Sequence, residues 1–223
     1  MIYAFYISGR SGRLKKFIQQ ADTDILNQIS VVVSDTQIEA ELEKELKKYG
    51  IGAKVYQWCL LSGGSNKEKN IQFSDLLLGE LKACHVDYCF SFGNHILAGE
   101  ILKEYLYRII NFHPAILPMF PGRKAIDQAV QHGNTFLVGN TAHFIDDGVD
   151  TGLVIMQSVL PIQHFYDMGF DYDVVLDLQI PMLNNLIKMI NSNSLEIKNG
   201  RVHIKNADYS QSSIWPAVLG DKA

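Results

Sequence analysis

"IYAFYISGRSG", Ile2 to Gly12, decides the fold class. Ile2 to Ile7 is a short aromatic and β-branched run, which is the composition of a strand. "SGRSG" then supplies turn chemistry, and "RLKKFIQQ" follows with helical spacing. The pattern recurs along the chain. "ISVVVSD" (Ile29 to Asp35) is a continuous apolar strand, and "TQIEAELEKELKKYG" is a charged amphipathic helix stopped by Gly50. "AKVYQWCLL" reads as a third strand, and "FSDLLLGELKACH" as a helix with Ser74 as its N-cap. "VDYCFSF" (Val86 to Phe92), "GEILKEYLYR" and "IINFHP" continue as strand, helix and strand. Short apolar strands alternating with helices predict a Rossmann-like α/β fold. Its sheet is mostly parallel and is covered by helices on both faces. Further on, "NTAHFIDDGVDTGLVIMQSVLPI" reads as two strands around an acidic, glycine-containing loop. "DVVLDLQIPMLNNLIKMIN" reads as a helix that starts late or kinks at Pro181. "LEIKNGRVHI" is a hairpin on an Asn199-Gly200 turn of type I′. We therefore expect a catalytic domain over residues 1–192 and a short C-terminal hairpin extension over 193–223.

The 223 residues are 47% hydrophobic and 20% charged, an ordinary globular balance. A net charge of −4 gives no general attraction to nucleic acid or anionic lipid. No run approaches the roughly 20 apolar residues of a membrane span, and "MIYAFYISGRSG" lacks the pattern of a signal peptide. Cys59, Cys84 and Cys89 are odd in number and lack C-x-x-C spacing, so they are expected as buried small residues in a reducing cytoplasm.

In open α/β sheets ligands bind beyond the carboxyl ends of the strands. That rule gathers "SGRSG", "SFGNH" and "NFHP" at one edge. In "NFHP", Asn111 and His113 share one face of a strand while Phe112 turns into packing. Pro114 and the prolines after it stiffen the following loop. An amide and an imidazole on one face can both donate to a developing oxyanion. Alone, the tetrapeptide also fits a strand end with a satisfied histidine and a capping asparagine. The acidic loop adds His143, Asp146, Asp147 and Asp150. One of those carboxylates can orient a histidine and raise its pKa. Calcium fits poorly, because the acids do not alternate as in an EF-hand. Zinc held by His113, His143 and Asp150 is the rival, without the H-x-x-x-H or C-x-x-C seed such sites carry.

"INFHPAILPMFPG" followed by "NTAHFIDDGVDTGLVIMQ" resembles the folate-dependent formyltransferases. Their pattern is Asn-x-His-Pro, a Leu-Pro-x-x-x-Gly loop, and His-x-x-x-x-x-x-Asp with a glycine two residues later. All of it is present in order. The resemblance implies a catalytic trio of Asn111, His113 and Asp150, with His143 in support. It implies 10-formyltetrahydrofolate as formyl donor and no metal. The donor would lie against "GNHIL", with Asn94, Ile96 and Leu97, and against Ile145, Asp146 and Asp147. "GNHIL" departs from the family's Met-Arg-Ile-Leu type of loop. The acceptor is expected to be a small-molecule amine carrying phosphate, held by Ser8, Gly9, Arg10, Ser11, Gly12, Arg13, Pro114 and Gly122.

Within that family, the arginines at positions 10 and 13 replace asparagines of the glycinamide ribonucleotide transformylases. The C-terminal helix offers an apolar stretch near Leu176 where those enzymes carry a glutamate. Both departures, and a hairpin followed by Tyr209 and Trp215, favour an amino sugar on a nucleotide as acceptor. Glycinamide ribonucleotide is the alternative. A non-catalytic folate- or nucleotide-binding module and a zinc hydrolase are the readings from other classes. The chain is short and acidic for a tRNA formyltransferase, and its first strand begins too early for the regulatory domain of a deformylase. No nucleic-acid or membrane partner is expected, and a homodimer is left open.

Overall fold

The computed structural model describes residues 1–9 and 11–210. Arg10 and Trp215 lie outside the described residues. The elements run β1 (Tyr3–Ile7), α1 (Gly12–Gln20), α2 (Thr23–Leu26), β2 (Ile29–Ser34), α3 (Ala40–Lys48), β3 (Gly52–Val55), α4 (Asn66–Ala83), β4 (Tyr88–Phe92), α5 (Glu100–Glu104) and β5 (Ile109–His113). They continue with α6 (Ala125–His132), β6 (Leu137–Phe144), β7 (Val154–Pro161), α7 (Ile162–Asp167), α8 (Asp173–Leu176), α9 (Gln179–Asn191), β8 (Leu195–Lys198) and β9 (Arg201–Ile204).

Seven strands form one sheet in the order β3-β2-β1-β4-β5-β6-β7. Its members from β3 to β5 are parallel, whereas β6 pairs antiparallel with β5 and β7 antiparallel with β6. All of β1 is buried, as a strand covered on both faces must be. Its residues divide by parity. Tyr3, Phe5 and Ile7 pack with Leu14, Phe17 and Ile18 of α1 and with Leu183, Leu186 and Ile187 of α9. Ala4 and Tyr6 pack with Phe73, Leu77 and Leu81 of α4 and Ile101 of α5. In β5, Ile110 and Phe112 join the first cluster and Ile109 the second. Asn111 and His113 continue the Ile109 face beyond the helices that cover it. The alternation of side chains along the strand thus leaves two polar ones facing a crevice.

Chain connections diverge between β1 and β4, one leading to β2 and the other to β5, and this is the switch point where α/β sheets open a crevice. Gly93, just past β4, is required there: an added Cβ would lie 2.0 Å from the Tyr6 ring.

Several local expectations are corrected. The third strand is only Gly52–Val55, and Trp58–Leu60 is a 3₁₀ turn instead. Helix α4 begins a full eight positions before Ser74, so Ser74 caps nothing; its Oγ donates to the Asn70 carbonyl at 2.7 Å and accepts the Ala98 N–H at 2.9 Å. The cap is Ser65, whose Oγ accepts the Glu68 N–H at 3.2 Å while Glu68 reaches back to the Ser65 N–H at 3.1 Å. Helix α9 does start late, with Pro181 in its first turn, where its missing N–H is not needed. Of the cysteines, Cys89 is buried, Cys84 half-buried and Cys59 exposed, so the expectation of burial holds in full only for Cys89. The hairpin forms as β8 and β9 with Asn199 and Gly200 both at positive φ, and Leu195, Ile197, Val202 and Ile204 pack onto the main core. Among the described residues no helix is long and apolar enough to cross a membrane.

The α4 cap is testable. Ser65→Ala leaves an orphan N–H at the start of α4 and is expected to cost about 1 kcal/mol. The urea midpoint should fall with its slope unchanged; an unmoved midpoint would show that the capping box does not stabilise α4.

Candidate active site

A cavity of about 890 Å³ lies at the switch point. Asn111 and His113 from β5, His143 from β6 and Asp150 from the acidic loop all line it. Antiparallel register sets Asn111 opposite His143 and His113 opposite Thr141. Asn111 Nδ2 lies 3.2 Å from His143 Nε2. His143 Nδ1 lies 2.9 Å from the Phe144 carbonyl, which can only accept, so Nδ1 carries the proton and Nε2 accepts the Asn111 amide. That contact fixes the Asn111 amide with one N–H committed and a second still available to a ligand.

His113 is 5% exposed. Its Nε2 donates to the Phe120 carbonyl at 2.8 Å, and its Nδ1 lies 3.3 Å from Asp150 Oδ2. In the neutral ring Nδ1 is a lone pair facing a carboxylate, so this gap is a place for one proton. Asp150 also accepts the Gly122 N–H at 2.7 Å, and its other oxygen lies 3.5 Å from His143 Nε2. Asp150 itself adopts φ 56°, and Gly152 allows the loop to close, since a Cβ there would sit 1.8 Å from the Phe144 carbonyl oxygen. Thr141 ties down the proline loop: its Oγ1 donates to the Ala115 carbonyl at 2.7 Å and accepts the Leu117 N–H at 3.0 Å.

The charge state departs from the sequence expectation. Burial pushes the His113 pKa below its usual value, more than the Phe120 carbonyl and Asp150 raise it, and His143 adds to the lowering. Asp150 does raise it, as the sequence leads one to expect, but burial outweighs that effect. Burial alone would raise Asp150; the His143 contact, the Gly122 N–H and the electrostatic effect of the two histidines outweigh that and hold its carboxyl below the usual range.

The other sequence candidates divide. Asn94, Ile96, Leu97, Ile145, Asp146, Pro114 and Gly122 line the cavity. Asp147 is exposed and does not line it. Asp146 spends one oxygen on its own loop, accepting the Gly148 N–H at 3.1 Å and the Thr151 hydroxyl at 2.8 Å. Of the described residues of the N-terminal turn only Arg13 lines the cavity. Ser8 contacts Asp35 and the Asn94 N–H, the Gly9 N–H binds Thr36 Oγ1 at 2.9 Å, and Ser11 Oγ binds the Ser8 carbonyl at 3.1 Å; neither these nor Gly12 lines the cavity. Arg13 lies over the Phe92 ring, 4.6 Å from its centroid, and donates to Gln179 Oε1. Burial lowers its pKa to about 10. Gln179 donates in turn to Asn140 Oδ1 at 2.6 Å. Leu176 lines the cavity, and Gln179, which opens α9, holds Arg13 beside it.

Sequence reasoning missed Trp58, Asn66, Asn70, Arg123, Lys124 and Tyr172, all of which line the cavity. Only Arg123 and Lys124, beside the Leu-Pro-x-x-x-Gly loop, had a signal that could have found them. Among the described residues no group of three His, Cys, Asp or Glu is disposed to hold a metal ion.

A Rossmann-like sheet whose switch-point cavity carries Asn-x-His-Pro on one strand and His-x-x-x-x-x-x-Asp on the next defines a class. Residues 1–183 match the sequence profile of the formyl transferase family, and the chain belongs to that family. Human trifunctional purine biosynthetic protein adenosine-3 is 30% identical over 161 residues, 72% of this chain and 15% of that protein. Phosphoribosylglycinamide formyltransferase of Bacillus subtilis is 35% identical over 96 residues, 43% of this chain and 49% of that enzyme. The chain thus spans well under half the length of the trifunctional relatives and about half that of the bacterial enzyme. Glycinamide ribonucleotide transformylase 1 from Symbiobacterium toebii superposes with a TM-score of 0.70 at 26% identity, covering 92% of this chain and 94% of that one.

The His113 environment predicts a pH dependence. Its folded pKa is lowered, so between that value and about 6.5 the unfolded chain binds more protons. Stability from this group is therefore full above about pH 6.5 and is lost as pH falls through the folded value. Urea midpoints should decline with acid in that window for the wild type and decline less for His113→Asn. An NMR titration placing His113 above an ordinary histidine would reverse the sign.

Proposed function

We propose that the chain transfers a formyl group from 10-formyltetrahydrofolate to the amine of glycinamide ribonucleotide. The observation that carries the reading is the convergence of Asn111, His113 and Asp150, with His143 behind them, in one cavity. The expected amino sugar on a nucleotide gives way to the alternative. The relatives described above are named for phosphoribosylglycinamide and for purine biosynthesis, and none for a sugar nucleotide. Arg13 supports an acceptor that carries phosphate: among the described residues of the turn it is the one that lines the cavity.

The donor's formyl carbon would lie between the Gly93–Leu97 loop and Asn111. Attack by the amine nitrogen forms a C–N bond and turns the formyl oxygen into an oxyanion. The available N–H of Asn111 stabilises that charge, a contribution typically worth about 10²–10³ in rate. The amine proton passes to Nδ1 of His113, which burial keeps neutral and ready to accept it. The resulting imidazolium has both nitrogens satisfied, by Phe120 and Asp150, and adds a positive charge beside the oxyanion. Collapse breaks the bond to the folate nitrogen, which leaves with a proton returned from His113.

Asn111→Ala, His113→Ala and Asp150→Ala should each lower turnover at least about a hundredfold with the fold intact. Tetrahydrofolate release, followed with glycinamide ribonucleotide and with nucleotide-linked amino sugars side by side, decides the acceptor. Arg13→Ala should raise the KM for the acceptor roughly ten- to a hundredfold and leave that of the donor nearly unchanged. Faster turnover of a sugar nucleotide than of glycinamide ribonucleotide would overturn the acceptor; full activity in Asp150→Asn would overturn the trio.

A further inference from the structure

We infer that Asp35 positions the Gly93–Leu97 loop, acting through Tyr6 and Ser8, and that Ser8 serves the formyl donor rather than the amine. The inference rests on the donor reading of that loop given above. Asp35 follows β2, is 1% exposed and does not line the cavity. Its Oδ2 accepts the Tyr6 hydroxyl at 2.8 Å and the Ser8 hydroxyl. The same two hydroxyl oxygens face the loop: Tyr6 accepts the His95 N–H at 3.3 Å, and Ser8 accepts the Asn94 N–H at 2.8 Å.

A hydroxyl has one proton and donates once. Both hydroxyls donate to Asp35, which leaves the lone pairs of Tyr6 and Ser8 for the loop amides. Without it either hydroxyl could turn its proton toward an N–H, and the anchor would become a repulsion. Asp35 Oδ1 is buried with no hydrogen-bond partner, so the carboxylate's contacts all fall on the side that serves the loop.

Two further contacts bear on the same segment. Gly93 rests directly on the Tyr6 ring, where no Cβ fits. The His95 ring stacks on Trp58 at 4.2 Å and 7°, and its Nε2 lies 3.7 Å from the same Asp35 oxygen. The backbone of Asn94 to Leu97 is thereby held from beneath and from one side, with its other side to the cavity. Asp35, Tyr6 and Ser8 are positioning residues, reached by no ligand in the cavity.

The test uses the full chain, with Ser8→Ala, Tyr6→Phe and their combination. Hydrogen exchange at the Asn94 and His95 amides should quicken at least about tenfold in the double variant, and tetrahydrofolate binding by calorimetry should weaken about tenfold. The KM for 10-formyltetrahydrofolate should rise by a similar factor, while kcat and the KM for the amine stay within about twofold. Ser8→Thr keeps the hydroxyl and should restore donor binding. If Tyr6→Phe lowers stability, Ser8→Ala alone carries the test. A wild type that fails to bind tetrahydrofolate sinks the donor reading and this inference with it. A wild type that binds it, with variants that bind equally or with the rise falling on the amine KM, overturns the inference alone.

Discussion

The antiparallel pairing of β5 with β6 is the constraint on which the site depends. Asn111 already has Ser91 beside it on parallel β4, and the direction and register of β6 decide which residue flanks it on the other side. In the observed register Asn111 meets His143 and His113 meets Thr141. A slip of one residue would turn all these side chains to the opposite face. The pairing acts twice. It fixes the Asn111 amide through His143, and through Thr141 it holds the proline loop. That loop in turn supplies the Phe120 carbonyl to His113 and the Gly122 N–H to Asp150.

The charge state of the site then follows from burial. A carboxylate beside an imidazole favours the imidazolium, and Asp150 does act on His113 in that sense. Burial of His113 works the other way and is the larger effect. The outcome is a neutral ring with its lone pair toward a carboxylate. That arrangement accepts a proton at little structural cost, because the acceptors for both N–H groups of the imidazolium are already in place.

The chemistry-bearing residues were legible because their signals are local. Asn111 and His113 follow from strand period and the proline after them, and His143 and Asp150 from one loop of fixed length. The alternation of strands and helices made the fold legible in the same way. What escaped depends on contacts distant in sequence. Nothing near Ser8 tells that its hydroxyl lies between Asp35 and the Asn94 amide. Trp58 reads as a strand residue until the strand is seen to stop at Val55. Ser74 looks like a cap because polar residues precede an apolar run, yet the capping box at Ser65 and Glu68 starts the helix earlier. The sign of the His113 shift was misjudged because opposite charge can be read from a motif and depth of burial cannot.

Arg13 brings a positive charge to the cavity wall. A buried guanidinium is costly unless an anion or strong acceptors compensate it. Here the ring of Phe92 and the Gln179 carbonyl oxygen do so only in part, and burial still lowers its pKa to about 10. Gln179 cannot neutralise it, being uncharged and itself bound to Asn140. Asp173 acts on it, but surface lysine Lys16 competes for that carboxylate at 3.0 Å. The charge is therefore left for a ligand. Among the described residues the other cavity cations are Arg123 and Lys124, which precede α6, and Arg123 acts on His95. Arg13 and the Arg123–Lys124 pair thus bring positive charge to the cavity from separate elements, the first turn of α1 and the segment before α6.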